Sequence, residues 1–213
     1  MTKLKAFIIP VTPFQQNCSL VYDDATKTGA IVDPGGDVPA ILDAIRESGI
    51  KIGKILLTHG HIDHAGGAAE LREKLGVSIE GPNMEDLFLL EKLAETGAQY
   101  GMPEARAVTP DRWLKEGDTV SIGDLEFSVL EAPGHTPGSV VFFNAGSRFA
   151  LVGDVLFQGS IGRTDFPRGD HAALIRSIKE KLYPLGDDVV CLPGHGQPCR
   201  IGEERQTNPF LNS

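Results

Sequence analysis

Seven consecutive residues, Thr58-His59-Gly60-His61-Ile62-Asp63-His64, restrict this chain more than any other stretch. They put three imidazoles and a carboxylate between an apolar run ending at Leu57 and the small residues Ala65-Gly66-Gly67-Ala68-Ala69. Half of the chain's six histidines are here. A short apolar run that stops at polar and glycine residues reads as a strand emptying into a loop, so the imidazoles are presented at a strand's exit. Imidazole nitrogens and carboxylate oxygens at this density are the donors that a borderline divalent cation takes.

Three further candidates occupy the same setting. His135 lies in Ala132-Pro133-Gly134-His135-Thr136-Pro137-Gly138, Asp154 in Val152-Gly153-Asp154, and His195 in Leu192-Pro193-Gly194-His195-Gly196. Each follows an apolar strand pattern. Singly, His135 or His195 reads as a packed or surface residue, and Asp154 as a turn cap. Together with the run at 58–64 they imply four strand ends delivering ligand-type residues to one edge. Five histidines and two aspartates are enough for two cations, since one carboxylate can bridge a pair. No cysteine belongs to the set, which argues against a structural thiolate site and for a catalytic one with open positions. His171, beside Asp170 at a helix start, reads as solvent-exposed.

The remaining pattern supplies a scaffold. Strands are expected at residues 6–11, 18–22, 30–32, 55–57, 77–79, 119–122, 125–130, 140–143, 149–152 and 189–192. Pro10 puts the first at a sheet edge or at a bulge. Asp37 reads as the N-cap of a helix carrying Val38, Ile41, Leu42 and Ile45 on one face and stopping at Gly49. A second helix spans about 65–75, with Gly66 and Gly67 in its first turn for close backbone approach or tight packing. Asn83 caps a third, residues 97–110 read as loop, and a last helix after Asp170 buries Leu174, Ile178 and Leu182. Two strand-rich halves with helices predict an α/β (α+β) fold, an αββα sandwich of two mixed sheets with helices on the outer faces. With no linker, low-complexity tract or repeat, residues 1–213 read as a single domain.

The formal charge of −9, with acidic residues spread along the chain, argues against a nucleic-acid or anionic-membrane partner, both of which want a basic face. Three cysteines, Cys18, Cys191 and Cys199, are an odd number without CxxC spacing, which fits a reducing compartment. Met1-Thr2-Lys3-Leu4-Lys5 precedes only four apolar residues before Pro10, too few for a secretory leader. The expectation is a soluble cytoplasmic protein.

In order and over nearly the whole chain, T-H-G-H-I-D-H at 58–64, G-H at 134–135, G-D at 153–154 and G-H at 194–195 resemble the metallo-β-lactamase superfamily, as do Asn17-Cys18 and V-D-P-G-G at 32–36. Gly162-Arg163-Thr164-Asp165-Phe166-Pro167-Arg168-Gly169-Asp170 is similar to the short bacterial type II glyoxalases, the hydroxyacylglutathione hydrolases. That resemblance implies two divalent cations, zinc in the first place and iron or manganese as alternatives. His59, His61 and His135 would hold one, and Asp63, His64 and His195 the other, with Asp154 and a hydroxide between them. It further implies hydrolysis of a small-molecule thioester, S-D-lactoylglutathione, to D-lactate and glutathione by hydroxide attack on the carbonyl, with Asp63 and Asp154 as catalytic residues.

Arg163, Arg168 and Phe166 are candidate substrate contacts. Against this, the arginines can pair with Asp165 and Asp170, and Phe157 and Phe166 can serve as core packing. The 18 residues after His195 are too few for the C-terminal helical domain that the larger glyoxalases use to bind glutathione. Rival readings are a mononuclear-iron persulfide dioxygenase, a lactonase or other esterase, and a metal-binding scaffold without turnover. A β-lactamase is disfavoured by the short N-terminal stretch and a nuclease by the negative charge.

Overall fold

The computed structural model describes residues 4–212, so the Met1-Thr2-Lys3 part of the N-terminal stretch lies outside it. Strands β1 (Leu4–Val11), β2 (Gln16–Asp23) and β3 (Thr28–Val32) pair antiparallel, and β4 (Lys51–Leu56) and β5 (Ser78–Glu80) then add in parallel, in the order β1-β2-β3-β4-β5. Pro10 sits in the edge strand β1, where its missing N–H breaks no inner ladder. The second sheet contains β6 (Thr119–Ile122), β7 (Leu125–Glu131), β8 (Val140–Asn144), β9 (Phe149–Gly153), β12 (Val190–Pro193) and β13 (Cys199–Arg200). Its order is β13-β12-β9-β8-β7-β6, with β9 and β12 parallel. Between those two in the chain, β10 (Leu156–Phe157) and β11 (Ser160–Ile161) form a small separate ribbon.

Strand alternation sorts the apolar residues into three layers. Ile31, Ile55 and Ile79, opposite one another on β3, β4 and β5, pack under Ile41 of helix α1 (Val38–Ser48) and Leu71 of helix α3 (Ala68–Leu75). Their neighbours Ala30, Val32 and Leu56 face the other way and meet Phe127, Val129, Phe142 and Leu151 between the sheets. On the far side, Val141, Ala150, Val152 and Cys191 pack against Leu174, Ile178 and Leu182, in helix α6 (His171–Ser177) and the π-helical turn (Ile178–Leu182) that continues it. This is the αββα arrangement that the pattern predicts. Phe127 and Phe142 are fully buried between the sheets. Truncating either to alanine should cost about 3–5 kcal/mol.

Local expectations differ from the structure in five places. The helix expected over 65–75 is two pieces, α2 (Ile62–Ala65) and α3, separated by Gly66 and Gly67. A Cβ on either glycine would come within 2.8 Å of the carbonyl oxygens of Gly35 or Pro34, so the turn after β3 is what approaches them. Asp37 does not cap α1; it is left-handed, with φ of 49°, and its carboxylate accepts from the Thr12 N–H at 2.7 Å. Asn83 does accept from the Glu85 N–H, but it caps a 3-10 turn (Met84–Asp86) followed by α4 (Leu87–Leu90) and α5 (Leu93–Tyr100). Helix α5 runs on through Gly97 into the stretch expected as loop, and glycine is required there because Met102 O would lie 2.4 Å from a Cβ. Finally, α7 (Ile201–Thr207) has too few apolar residues to show helical periodicity, and Glu204 ties it down by accepting from the Gly159 N–H and the Asn208 amide. Among the described residues no helix is long and apolar enough to cross a membrane.

Candidate metal centre

The run at 58–64 leaves β4 and turns into α2, with His61 at the N-cap position and Asp63 and His64 in the helix. His135 follows β7, Asp154 follows β9 and His195 follows β12. The parallel pairing of β9 with β12 puts Gly153 opposite Pro193, so Asp154 and His195 leave the sheet side by side. Asn17 fixes the second of these turns, donating from its amide to Pro193 O at 3.1 Å and Gly196 O at 2.9 Å. Gly194 must be glycine, since a Cβ there would lie 2.3 Å from Asp154 Oδ1 and 2.4 Å from a carbon of the His64 ring.

All seven residues expected to be ligands converge. His59 Nε2 is 3.1 Å from His61 Nδ1, which is 2.9 Å from His135 Nε2. Beyond them His195 Nε2 is 3.1 Å, and His64 Nε2 3.9 Å, from Asp63 Oδ2. Asp154 lies between the groups, with Oδ2 3.6 Å from both His135 Nε2 and His195 Nε2, and Oδ1 3.4 Å from His64 Nε2. The donor atoms of His59, His61 and His135, and those of Asp63, His64 and His195, each lie within 4.8 Å of one another.

The outer nitrogens define which ring atoms point inward. His135 Nδ1 faces Arg163 O at 2.8 Å, and a carbonyl only accepts, so the proton sits on Nδ1 and the Nε2 lone pair faces the cluster. His64 Nδ1 is likewise 3.0 Å from Asp33 Oδ2. The Thr58 hydroxyl donates to the same oxygen at 2.6 Å and stands 3.1 Å from His59 Nδ1. Asp33 also accepts from the Thr58 N–H at 2.7 Å, so one buried carboxylate orients an imidazole in each group. In the sequence Asp33 stands out only as part of V-D-P-G-G at 32–36. Its signal was weak, because a turn aspartate ordinarily bonds its own backbone.

Burial and charge treat the groups differently. Burial holds His59 well below the usual imidazole range, helped by the neighbouring rings. It brings His61 to about 3, with His135 acting in the same sense, and it lowers His135 despite Asp154 nearby. Burial also opposes protonation of His64, but Asp154 and Asp63 outweigh it and raise that ring well above its usual value. Burial lowers His195 too, but the hydrogen bond to Asp63 and the charge of Asp154 leave it raised above the usual imidazole value. Burial pushes both carboxyls up, yet His64, together with His195, holds Asp63 and Asp154 below the usual carboxylate range.

A cleft of about 860 Å³ opens over the cluster. Phe166, a candidate substrate contact, and Phe157 both line it rather than packing in the core, with the Phe166 ring 4.9 Å from His61 and the Phe157 ring 6.4 Å from His195. Arg163 lines it too, but is held by Asp165 at 2.6 Å and lies over Phe166 at 4.2 Å. Arg168 is not among the lining residues. It pairs with Glu85 rather than Asp170 and covers Phe88 at 4.9 Å. Phe14, Phe88, Tyr100 and Lys92 complete a wall that sequence reasoning missed, since nothing local marks residues so far apart in the chain as facing one cleft. His171 is exposed, as expected.

The comparisons agree with this geometry. The sequence profile of the metallo-beta-lactamase superfamily matches residues 11–195. Hydroxyacylglutathione hydrolase GloC from Haemophilus influenzae is 50% identical over 207 residues, 97% of each chain. The crystal structure of BLEG-1 B3 metallo-beta-lactamase superposes with a TM-score of 0.90 at 36% identity, covering 98% of this chain and 100% of that one. TTHA1623, in a di-iron-bound form, superposes with a TM-score of 0.86 at 36% identity over 96% of this chain and 100% of its own. With the matched strand-end histidines and aspartates gathered at one edge of two sheets, the chain belongs to the metallo-beta-lactamase superfamily, as a metal-binding hydrolase.

Proposed function

We propose that the chain is a two-metal thioesterase of the hydroxyacylglutathione hydrolase type, cleaving S-D-lactoylglutathione to D-lactate and glutathione. The observation that carries the metal site is a pair of buried atoms, His64 Nε2 and Asp154 Oδ1, that have no hydrogen-bond partner among the described residues although they lie 3.4 Å apart. Leaving such groups unpaired costs about 1–3 kcal/mol each, a cost that a shared cation removes. His59, His61 and His135 would hold one divalent cation, Asp63, His64 and His195 a second, and Asp154 would face both. Zinc suits these donors, and iron or manganese fits the same set. The di-iron form of TTHA1623 supports iron as the alternative. Bound there, the cations would supply Lewis acidity toward a carbonyl oxygen and bring a water's pKa toward neutrality.

The chain's own residues complete the chemistry. Asp63, held ionised, is the oxygen base beside the cluster that can orient a water or accept its proton. A thiolate of pKa about 8.5 leaves without a strong acid, which matches a site whose carboxyls are both held ionised. Phe157 and Phe166 form an apolar wall for the acyl group. Lys92, which makes no ion pair among the described residues, and Arg163 offer cationic ends for the carboxylates of glutathione. We place the enzyme in the cytoplasm, acting as one domain over residues 1–213; its three cysteines are buried and free.

Purified protein should release glutathione from S-D-lactoylglutathione with about two equivalents of metal bound, and should lose this activity to a chelator. One iron with oxygen uptake on glutathione persulfide, or no thioester hydrolysis at full metal loading, would overturn the reading. β-Lactam hydrolysis is the second reading, favoured by the similarity to BLEG-1, and a β-lactam in the same assay separates the two.

A further inference from the structure

Asp86 is a fully buried carboxylate that the proposed chemistry does not use. It stands on the 3-10 turn before α4, outside the cluster, and no cation pairs with it among the described residues. Three donors converge on it from two distant loops. Gly60 N–H donates to Oδ2 at 2.8 Å, the Thr136 hydroxyl donates to the same oxygen at 2.8 Å, and Gly138 N–H donates to Oδ1 at 2.7 Å. A fourth bond, Asn83 N–H to Gly138 O at 3.0 Å, ties the same turn to the same loop. Gly60 separates His59 from His61, and Thr136 follows His135. The carboxylate therefore joins the two loops that carry the all-histidine group and has no bond to the loop of His195 or to Asp63 and His64.

A buried carboxylate without a counter-ion is expensive, and only acceptor contacts on both of its oxygens offset the cost. An amide of the same shape has one oxygen and would aim an N–H at one of the three donors. Asp33 and Asn17 perform comparable anchoring for His64 and for the His195 loop, but His61 and His135 are related across two loops, and Asp86 is the side chain bonded to both of those loops.

We infer that Asp86 is a positioning residue for the His59, His61 and His135 group, clamping the Gly60 and Thr136–Gly138 backbones so that three ring nitrogens meet at a single point. The part of this inference that concerns cations rests on the two-metal reading; the part that concerns ring placement does not.

Asp86→Asn and Asp86→Ala test it. Metal-free protein is titrated with Co²⁺ against a chromophoric chelator, and fold is checked by circular dichroism. In Asp86→Asn one of the two affinities should fall about 10–100-fold while the other stays at the wild-type value. The spectrum of the remaining ion should match that of His61→Ala, and the double variant should lose nothing further. A folded Asp86→Asn protein with both affinities unchanged, or with both lowered equally, overturns the inference whatever happens to its melting temperature. Imidazole ¹⁵N spectra of the metal-free proteins provide the readout that needs no cation. The resonances of His59, His61 and His135 should move in Asp86→Asn, and those of His64 and His195 should not. If wild-type protein binds no cation, the two-metal reading fails, and unmoved first-group resonances would still sink the clamp on their own. If Asp86→Ala does not fold, Asp86→Asn decides.

Discussion

His59, His61 and His135 bring three nitrogens together with no carboxylate among them, whereas Asp63, His64 and His195 mix imidazole with an ionised acid. The same burial acts on both groups, yet the outcomes are opposite. In the first, desolvation outweighs the pull of Asp63 and Asp154, so the rings stay neutral and their lone pairs are ready. In the second, carboxylates outweigh it and favour protons on the rings of the metal-free chain. A cation entering the first group displaces no proton, and one entering the second must displace them. Asp154 is the point at which the two regimes meet.

Breaking that meeting point should have the largest effect. Asp154→Asn keeps the shape but removes the charge that faces His135, His195 and His64. Turnover should fall by about 10³-fold or more, roughly 4 kcal/mol of barrier, and metal analysis should show less than one equivalent bound. Full metal content with unchanged turnover would mean that the groups do not depend on a shared carboxylate.

Next comes the anchor common to both groups. Asp33→Asn leaves an amide N–H facing either the Thr58 N–H or both the Thr58 hydroxyl and the His64 ring. Affinity should drop about 10–100-fold, and more for the second group, because His64 touches Asp33 directly while His59 reaches it only through Thr58. Equal losses would erase that distinction; Zn²⁺ competition titrations measure them.

Asp33 and Asp154 also mark how far the sequence could be read. The dense run at 58–64, the repeated strand-end settings of His135, Asp154 and His195, and the alternation that sorts residues into three layers are local patterns that survive folding. They made the sandwich and the convergence of ligand-type residues readable. Asp33, Asp86 and the cleft wall of Phe14, Phe88 and Lys92 acquire their roles only through contacts 25 or more residues away, such as Asp33 with Thr58 and Asp86 with Gly60. Helix α7 was missed for a related reason: its stability comes from Glu204 bonding to a distant loop rather than from an apolar stripe.

Acid–base behaviour of the metal-free protein sharpens the comparison with a smaller effect. His61 is neutral when folded down to about pH 3, whereas the unfolded ring protonates near 6.5. The unfolded state therefore binds the extra proton between those values, and stability falls as pH drops through that window. His195 is raised instead, so its contribution is fully present below 6.5 and is lost as pH climbs through its folded value. Urea unfolding in a chelator, for wild type against His61→Gln and His195→Gln, isolates each term. The wild-type advantage over His61→Gln should shrink on acidification below 6.5, and that over His195→Gln should shrink on alkalinisation above 6.5. The same sign for both would show that the two groups do not differ in charge.

The smallest effects belong to the aromatic rings that shield each group. Phe166 meets His61 edge-on at 4.9 Å, while Phe157 stands 6.4 Å from His195. A close aromatic pair contributes about 0.5–1.5 kcal/mol beyond the area it buries, so Phe166→Leu should raise KM about 2–10-fold for a thioester lying against the first group. Phe157→Leu, with the looser contact, should raise it less. Because leucine keeps the wall apolar, kcat should hold in both variants, and initial rates across substrate concentration read the two constants separately. A larger KM change in Phe157→Leu would put the acyl group against His195 and reverse which half of the cluster receives the substrate.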